Sequence, residues 1–93
     1  MEDKAGLSDE EIIRSLPEGW KYDGSALRKE WKFVKFMDMP HFVIKAVTMM
    51  NEVNHHADIS MDTKTKTVHI SVTTHSAGRV TQADLDFANK ISE

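Results

Sequence analysis

Cysteine is missing from the 93-residue chain. Its absence excludes disulfides, thiolate zinc sites and a thiol nucleophile at once. It also fits a reducing compartment, and a cytoplasmic location is the expectation. Only four glycines occur, all scattered, so no glycine-rich phosphate loop is present. Positive charge is in deficit: 12 Lys and Arg stand against 15 Asp and Glu, for a formal net charge of -3. Binding to a phosphate backbone needs clustered positive charge, so nucleic acid is not an expected partner. No run approaches the roughly 20 apolar residues of a membrane span, and no membrane partner is expected. The charged start Met1-Glu2-Asp3-Lys4 lacks the apolar run of a secretory leader. There is no internal repeat, low-complexity segment or linker.

What remains is the composition of one ordinary globular domain: 40% hydrophobic and 29% charged residues. A chain of this length fits a single domain over residues 1–93 and buries roughly two-thirds of its unfolded surface, enough for one modest core. Residues 1–7 read as a disordered lead-in. Ser8 and Glu11 have the spacing of a capping box, with Leu7 and Ile12 as its hydrophobic staple. The helix they start carries Ile12, Ile13 and Leu16 and stops at Pro17 and Gly19. Trp20 to Tyr22 is a short strand, followed by an Asp23-Gly24-Ser25 turn. From Leu27 to Phe36 apolar and charged residues alternate, as in a half-buried strand.

The main helix is expected to start at Met37-Asp38-Met39-Pro40, with Asp38 as cap. Phe42, Val43, Ala46, Val47, Met50 and Val53 recur at helical spacing and form its apolar face. Ile44 and Met49 widen that surface beyond what one sheet needs, as a second copy of the helix would explain. A strand over Asp58 to Met61 leads through an Asp62 to Thr65 turn into another over Thr67 to Thr74. There Val68, Ile70 and Val72 alternate with His69, Ser71 and Thr73. Thr81 and Asp84 form a second capping box, with Val80 and Leu85 as staple, and Leu85, Ala88 and Ile91 follow as an apolar stripe. The order α-β-β-α-β-β-α predicts a two-layer α+β domain: a four-stranded antiparallel sheet with three helices on one face.

The candidate chemistry lies in histidine, whose unperturbed pKa is near neutrality. His55 and His56 sit where the main helix stops. His75 ends a strand nine residues ahead of Asp84. His41 and His69 read as surface residues, and Asp84 has a ready structural role as a capping acid. Adjacent side chains at a helix end diverge, and no His pair has the i, i+4 spacing of a helical metal site, so no metal is expected. Ser71 and Ser76 neighbour His75, but nothing resembles a nucleophile elbow. General acid–base work on a small molecule that gains or loses water is the chemistry left, with no cofactor.

Asn54-His55-His56, then Val68 to His75, then Ala77-Gly78 and Thr81 to Asp84 resemble the pterin-4a-carbinolamine dehydratase family, also known as the dimerisation cofactor of a liver nuclear factor. The likeness runs over about residues 8–92, including Gly19-Trp20 before the first strand. It implies the α+β fold above and a hydro-lyase that dehydrates 4a-hydroxytetrahydropterin to quinonoid dihydropterin and water, in tetrahydrobiopterin recycling. It implies that His55 and His75 carry the acid–base steps, that His56 orients the pterin, and that Thr74, Ser76 and Asp84 contact or support it. It also implies homodimers or homotetramers. Departures from the family pattern are Ala57 in place of proline, Ile59 in place of an aromatic residue, Asn51 in place of an acid, and a His56 to His75 gap two residues longer than in animal-type members. An alternative reading is a catalytically idle member serving as an oligomeric protein-binding adaptor.

Overall fold

The two most cleanly alternating stretches lie side by side at the centre of the sheet. In the computed structural model, which describes residues 6–92, Leu27–Lys32 (β2) and Thr67–Val72 (β4) pair antiparallel with Leu27 opposite Val72 and Trp31 opposite Val68. Lys21–Tyr22 (β1) flanks β2, and Asp58–Asp62 (β3) flanks β4, also antiparallel. The order β1-β2-β4-β3 thus sets two hairpins together through their second strands. Residues directly opposite share a face. Leu27, Val68, Ile70 and Val72 are buried, while Arg28, Glu30 and His69 on the other face are exposed.

Three helices cover the buried face: Asp9–Ser15 (α1), Asp38–Val53 (α2) and Gln82–Ile91 (α3). Ile12, Ala46, Met50, Leu85 and Ile91 meet the sheet residues in one core. The predicted α+β architecture and element order therefore hold. α1 has only seven residues, too few to be helical alone in water. Its capping box is formed, with Glu11 N–H donating to Ser8 Oγ and Ser8 N–H to Glu11 Oε1, each at 3.2 Å. Burial of Ile12 contributes roughly 1.5–3 kcal/mol, whereas Ile13 points outward. Trp20 is buried, donates to Ser92 Oγ at 2.9 Å and meets the edge of Trp31.

Several expectations are corrected. Of the predicted lead-in, residues 1–5 lie outside the described residues. Gly6 and Leu7 are paired: Gly6 bridges Thr81, and Leu7 N–H donates to Val80 O. Asp38 is not the cap of α2. Met37 holds that position without a side-chain bond, and Asp38 is the first helical residue, where an acid favours the helix dipole. Met49 is buried with Met39, Ala46 and Met50, whereas Val47 is half exposed. The buried stripe thus runs 39, 42, 43, 46, 49, 50, 53 and leaves Val47 on its flank. The strand predicted from Leu27 to Phe36 ends at Lys32, and that predicted through Thr74 ends at Val72. Among the described residues no helix is long and apolar enough to cross a membrane.

The β1–β2 turn rests on Asp23, whose Oδ1 accepts from the backbone of Ser25 and Ala26 and from the Ser25 hydroxyl. Arg28 donates to Oδ2. The Arg28 guanidinium first, and then the two backbone N–H groups, hold the Asp23 carboxyl well below its ordinary 3.8. A lowered folded-state pKa means that its contribution is present above the unfolded value and is lost as pH falls below about 3.8. Asp23→Ala is therefore expected to lower the melting temperature at neutral pH and to narrow its gap to wild type below pH 3.8. A constant gap across acid melts would contradict this.

Candidate active site

Asn54 ends α2 in the left-handed region, at φ 54° and ψ 43°, and its N–H closes on Met50 O. Asparagine tolerates this conformation. The reversal sends the next two side chains apart, as expected for neighbours at a helix end. His55 turns inward with 10% of its side chain exposed, and His56 faces solvent.

At the other end of the site β4 stops at Val72, and Thr74 bridges Arg79. The short loop between them is a 3-10 turn, His75–Ala77, closed by Gly78 at φ 70°. Thr74 is buried, whereas His75 and Ser76 are exposed.

Asp84 joins the two ends. It is fully buried in the first turn of α3. Its Oδ1 lies 2.6 Å from His55 Nε2. Its Oδ2 accepts from the Thr81 backbone N–H and from the Thr74 hydroxyl, both at 2.8 Å. The Thr74 and Thr81 hydroxyls are themselves 2.8 Å apart. A carboxylate opposite a ring nitrogen accepts, so in the neutral imidazole of His55 the proton is on Nε2 and Nδ1 is the acceptor. Phe87 packs on His55, with ring centroids 6.3 Å apart at 61°.

The structure brings His55, Thr74 and Asp84 into one network and places His75 one peptide further on. His56 and Ser76 are exposed. Thr74 and Asp84 lie behind the surface rather than on it, because both side chains are buried and bonded to protein groups. Thr81 and Phe87 were missed as site residues. Thr81 carried a signal only as a cap. Phe87 follows Asp84 at i+3 and begins the same helix face that continues through Ala88 and Ile91. Among the described residues no three of His, Cys, Asp and Glu converge as a metal site would require. A groove of about 620 Å³ lies elsewhere, on the open face of the sheet between Arg28, Glu30, Asp58, Ser60, His69 and Ser71.

The two-layer α+β fold thus holds one histidine, His55, against a buried carboxylate. The family it represents is given by comparison. Residues 5–93 match the family model described as pterin 4 alpha carbinolamine dehydratase, and the chain belongs to that family. Relatives provisionally named pterin-4-alpha-carbinolamine dehydratase include one from Sulfolobus acidocaldarius, 36% identical over 94% of this chain and 96% of its own. Another, from Mycobacterium avium, is 38% identical over 95% and 94%. A crystal structure from Brucella melitensis, titled transcriptional coactivator/pterin dehydratase, superposes with a TM-score of 0.81 at 25% identity, over 94% of this chain and 95% of that one.

Proposed function

We propose that this protein dehydrates a 4a-hydroxytetrahydropterin to the quinonoid dihydropterin by histidine acid–base catalysis, in tetrahydropterin recycling in the cytoplasm. The 2.6 Å contact between Asp84 Oδ1 and His55 Nε2 carries the reading. It leaves His55 Nδ1 as a proton acceptor held in a fixed direction, as general base catalysis needs. The overall change breaks the C4a–O bond, forms a C4a=N5 double bond and releases water. His55 Nδ1 takes the N5 proton. The exposed His75 delivers a proton to the departing hydroxyl, and the exposed His56 orients the ring. No charge is left on either organic species. In support, the family match spans residues 5–93. Wild-type protein is expected to accelerate the loss of water from a 4a-hydroxypterin, followed by ultraviolet absorbance. A rate equal to that in buffer rejects the reading.

The single domain is proposed to work as a homodimer or homotetramer. Supporting this, the outer side of α2 exposes Ile44 and Val47, at 63% and 51%. The surface differs from that expected, because Met49 is buried in the core and Val47 takes its place outside. Ile44→Glu is expected to yield a smaller assembly by light scattering with its melting curve kept. An unchanged mass would remove α2 from the interface.

A second reading, a protein-binding adaptor, is favoured by one observation: the Brucella structure carries the word coactivator in its title. An adaptor would keep a stable partner after all three histidines are replaced, whereas the dehydratase would lose turnover.

A further inference from the structure

Thr74 has a hydroxyl that cannot reach a ligand at the surface, because the residue is 3% exposed. Its hydroxyl bonds two neighbours, Asp84 Oδ2 and Thr81 Oγ1, each at 2.8 Å. The two oxygens of Asp84 are divided between tasks. Oδ2 takes the Thr81 N–H that caps α3 and the Thr74 hydroxyl, and Oδ1 takes His55. A carboxyl group turns about one bond, so whatever fixes Oδ2 also fixes the direction of Oδ1. The Thr81 N–H alone is one donor and leaves that rotation soft. The Thr74 hydroxyl is the second close donor, and it approaches from the segment after β4 rather than from α3. Among the described residues no buried side-chain nitrogen or oxygen lacks a partner, and the Thr81 hydroxyl, at 3.5 Å from Oδ2, is a longer and weaker third donor.

We propose that Thr74 is a positioning residue. By pinning Asp84 Oδ2 from the sheet side it keeps the His55 proton on Nε2 and holds Nδ1 toward the reacting pterin. The same residue carries His75 on its backbone, so one residue in the segment after β4 sets both the aim of the base and the place of its partner. This deepens the dehydratase reading and rests on it. The assignment of Thr74 also differs from direct substrate contact, which its burial forbids.

The test uses Thr74→Val, which keeps the shape and removes the hydroxyl, beside Thr74→Ser, which restores it. The Thr81 N–H still caps through Asp84 in both. Histidine ring nitrogens in 15N-labelled protein are read by NMR at alkaline pH, where imidazole is neutral, with His55 assigned from the His55→Gln spectrum. Wild type and Thr74→Ser are expected to show the His55 proton on Nε2. Thr74→Val is expected to move toward the mixed tautomers of free imidazole. Its kcat is expected to fall about tenfold, the scale of one hydrogen bond to a charged group, with KM little changed. An unaltered His55 tautomer in Thr74→Val, or a Ser variant that behaves like Val, overturns the proposal. If Thr74→Val does not fold, Thr74→Ala asks the same question with a smaller group. If neither folds while Thr74→Ser does, the hydroxyl is a fold residue and the proposal fails. The tautomer is read without turnover, so its outcome stands apart from whether the protein dehydrates pterins.

Discussion

Replacing His55 by glutamine is expected to cut the rate of 4a-hydroxypterin dehydration by about 10² to 10⁴, the usual share of one general acid or base, while the domain stays folded. Glutamine is the informative choice because the partner of Asp84 Oδ1 is Nε2 rather than Nδ1. The amide nitrogen of glutamine reaches about as far as Nε2, donates, and does not titrate, so Asp84 keeps a donor while Nδ1 disappears. Alanine would mix two effects, since it would also leave a buried carboxylate oxygen without its donor, at a cost of about 1–3 kcal/mol. The exposed His75 can be truncated to alanine with little expected loss of stability, and the loss of rate should again reach about 10² or more. A His55→Gln protein that melts with wild type and turns over at more than about a tenth of its rate would exclude His55 as the base, whatever His75 does.

The chain revealed its elements more readily than its network, for reasons visible in single residues. Ser8 and Glu11 are three apart, so a local rule links them, and the capping box is there. Val68, Ile70 and Val72 alternate, and all three are buried. These signals act within one turn or one strand. Asp38 shows where a local rule fails. It fits the composition of a cap, but Met37 already has helical angles, so the position that would use the side chain lies one residue earlier. Val47 and Met49 both fit an apolar face at helical spacing. Which of them is buried depends on how α2 rolls against the sheet, and that is a tertiary matter.

The site is harder still, because the contact that defines it spans 29 residues. The Thr81–Asp84 spacing pointed correctly to a capping box. It could not say that the carboxylate has a second oxygen to offer, nor that α2 would end in a left-handed Asn54 and swing His55 onto it. The residues named from the family resemblance were not separated by depth. Thr74 and Asp84 lie inside and His56, His75 and Ser76 outside. Sequence order alone carries no such distinction where Thr74 and His75 are consecutive.

That depth makes Asp84 the most sensitive position for stability and activity together. Asp84→Ala is expected to lower stability by roughly 3 kcal/mol. The capping Thr81 N–H and the His55 ring N–H, both left without their acceptor, contribute about 1–3 kcal/mol each. The Thr74 and Thr81 hydroxyls keep the bond between them, 2.8 Å long, but one of their two hydrogens is then left without an acceptor. For a domain of this size such a loss lowers the melting temperature by roughly 10–20 °C. Asp84→Asn separates the two roles. Its amide keeps the shape and one acceptor oxygen. If that oxygen stays with Thr74 and Thr81, the amide N–H₂ faces His55 Nε2, where a donor already points. The ring can relieve the clash only by moving its proton to Nδ1, which removes the acceptor that the pterin needs. The Asn variant should therefore stay closer to wild type in melting than the Ala variant, yet lose a factor of about 10² or more in rate, as a histidine does when held in the wrong tautomer. Melting of Asp84→Ala within about 1 kcal/mol of wild type would deny the carboxylate its structural part. An active Asp84→Asn would deny that it directs His55.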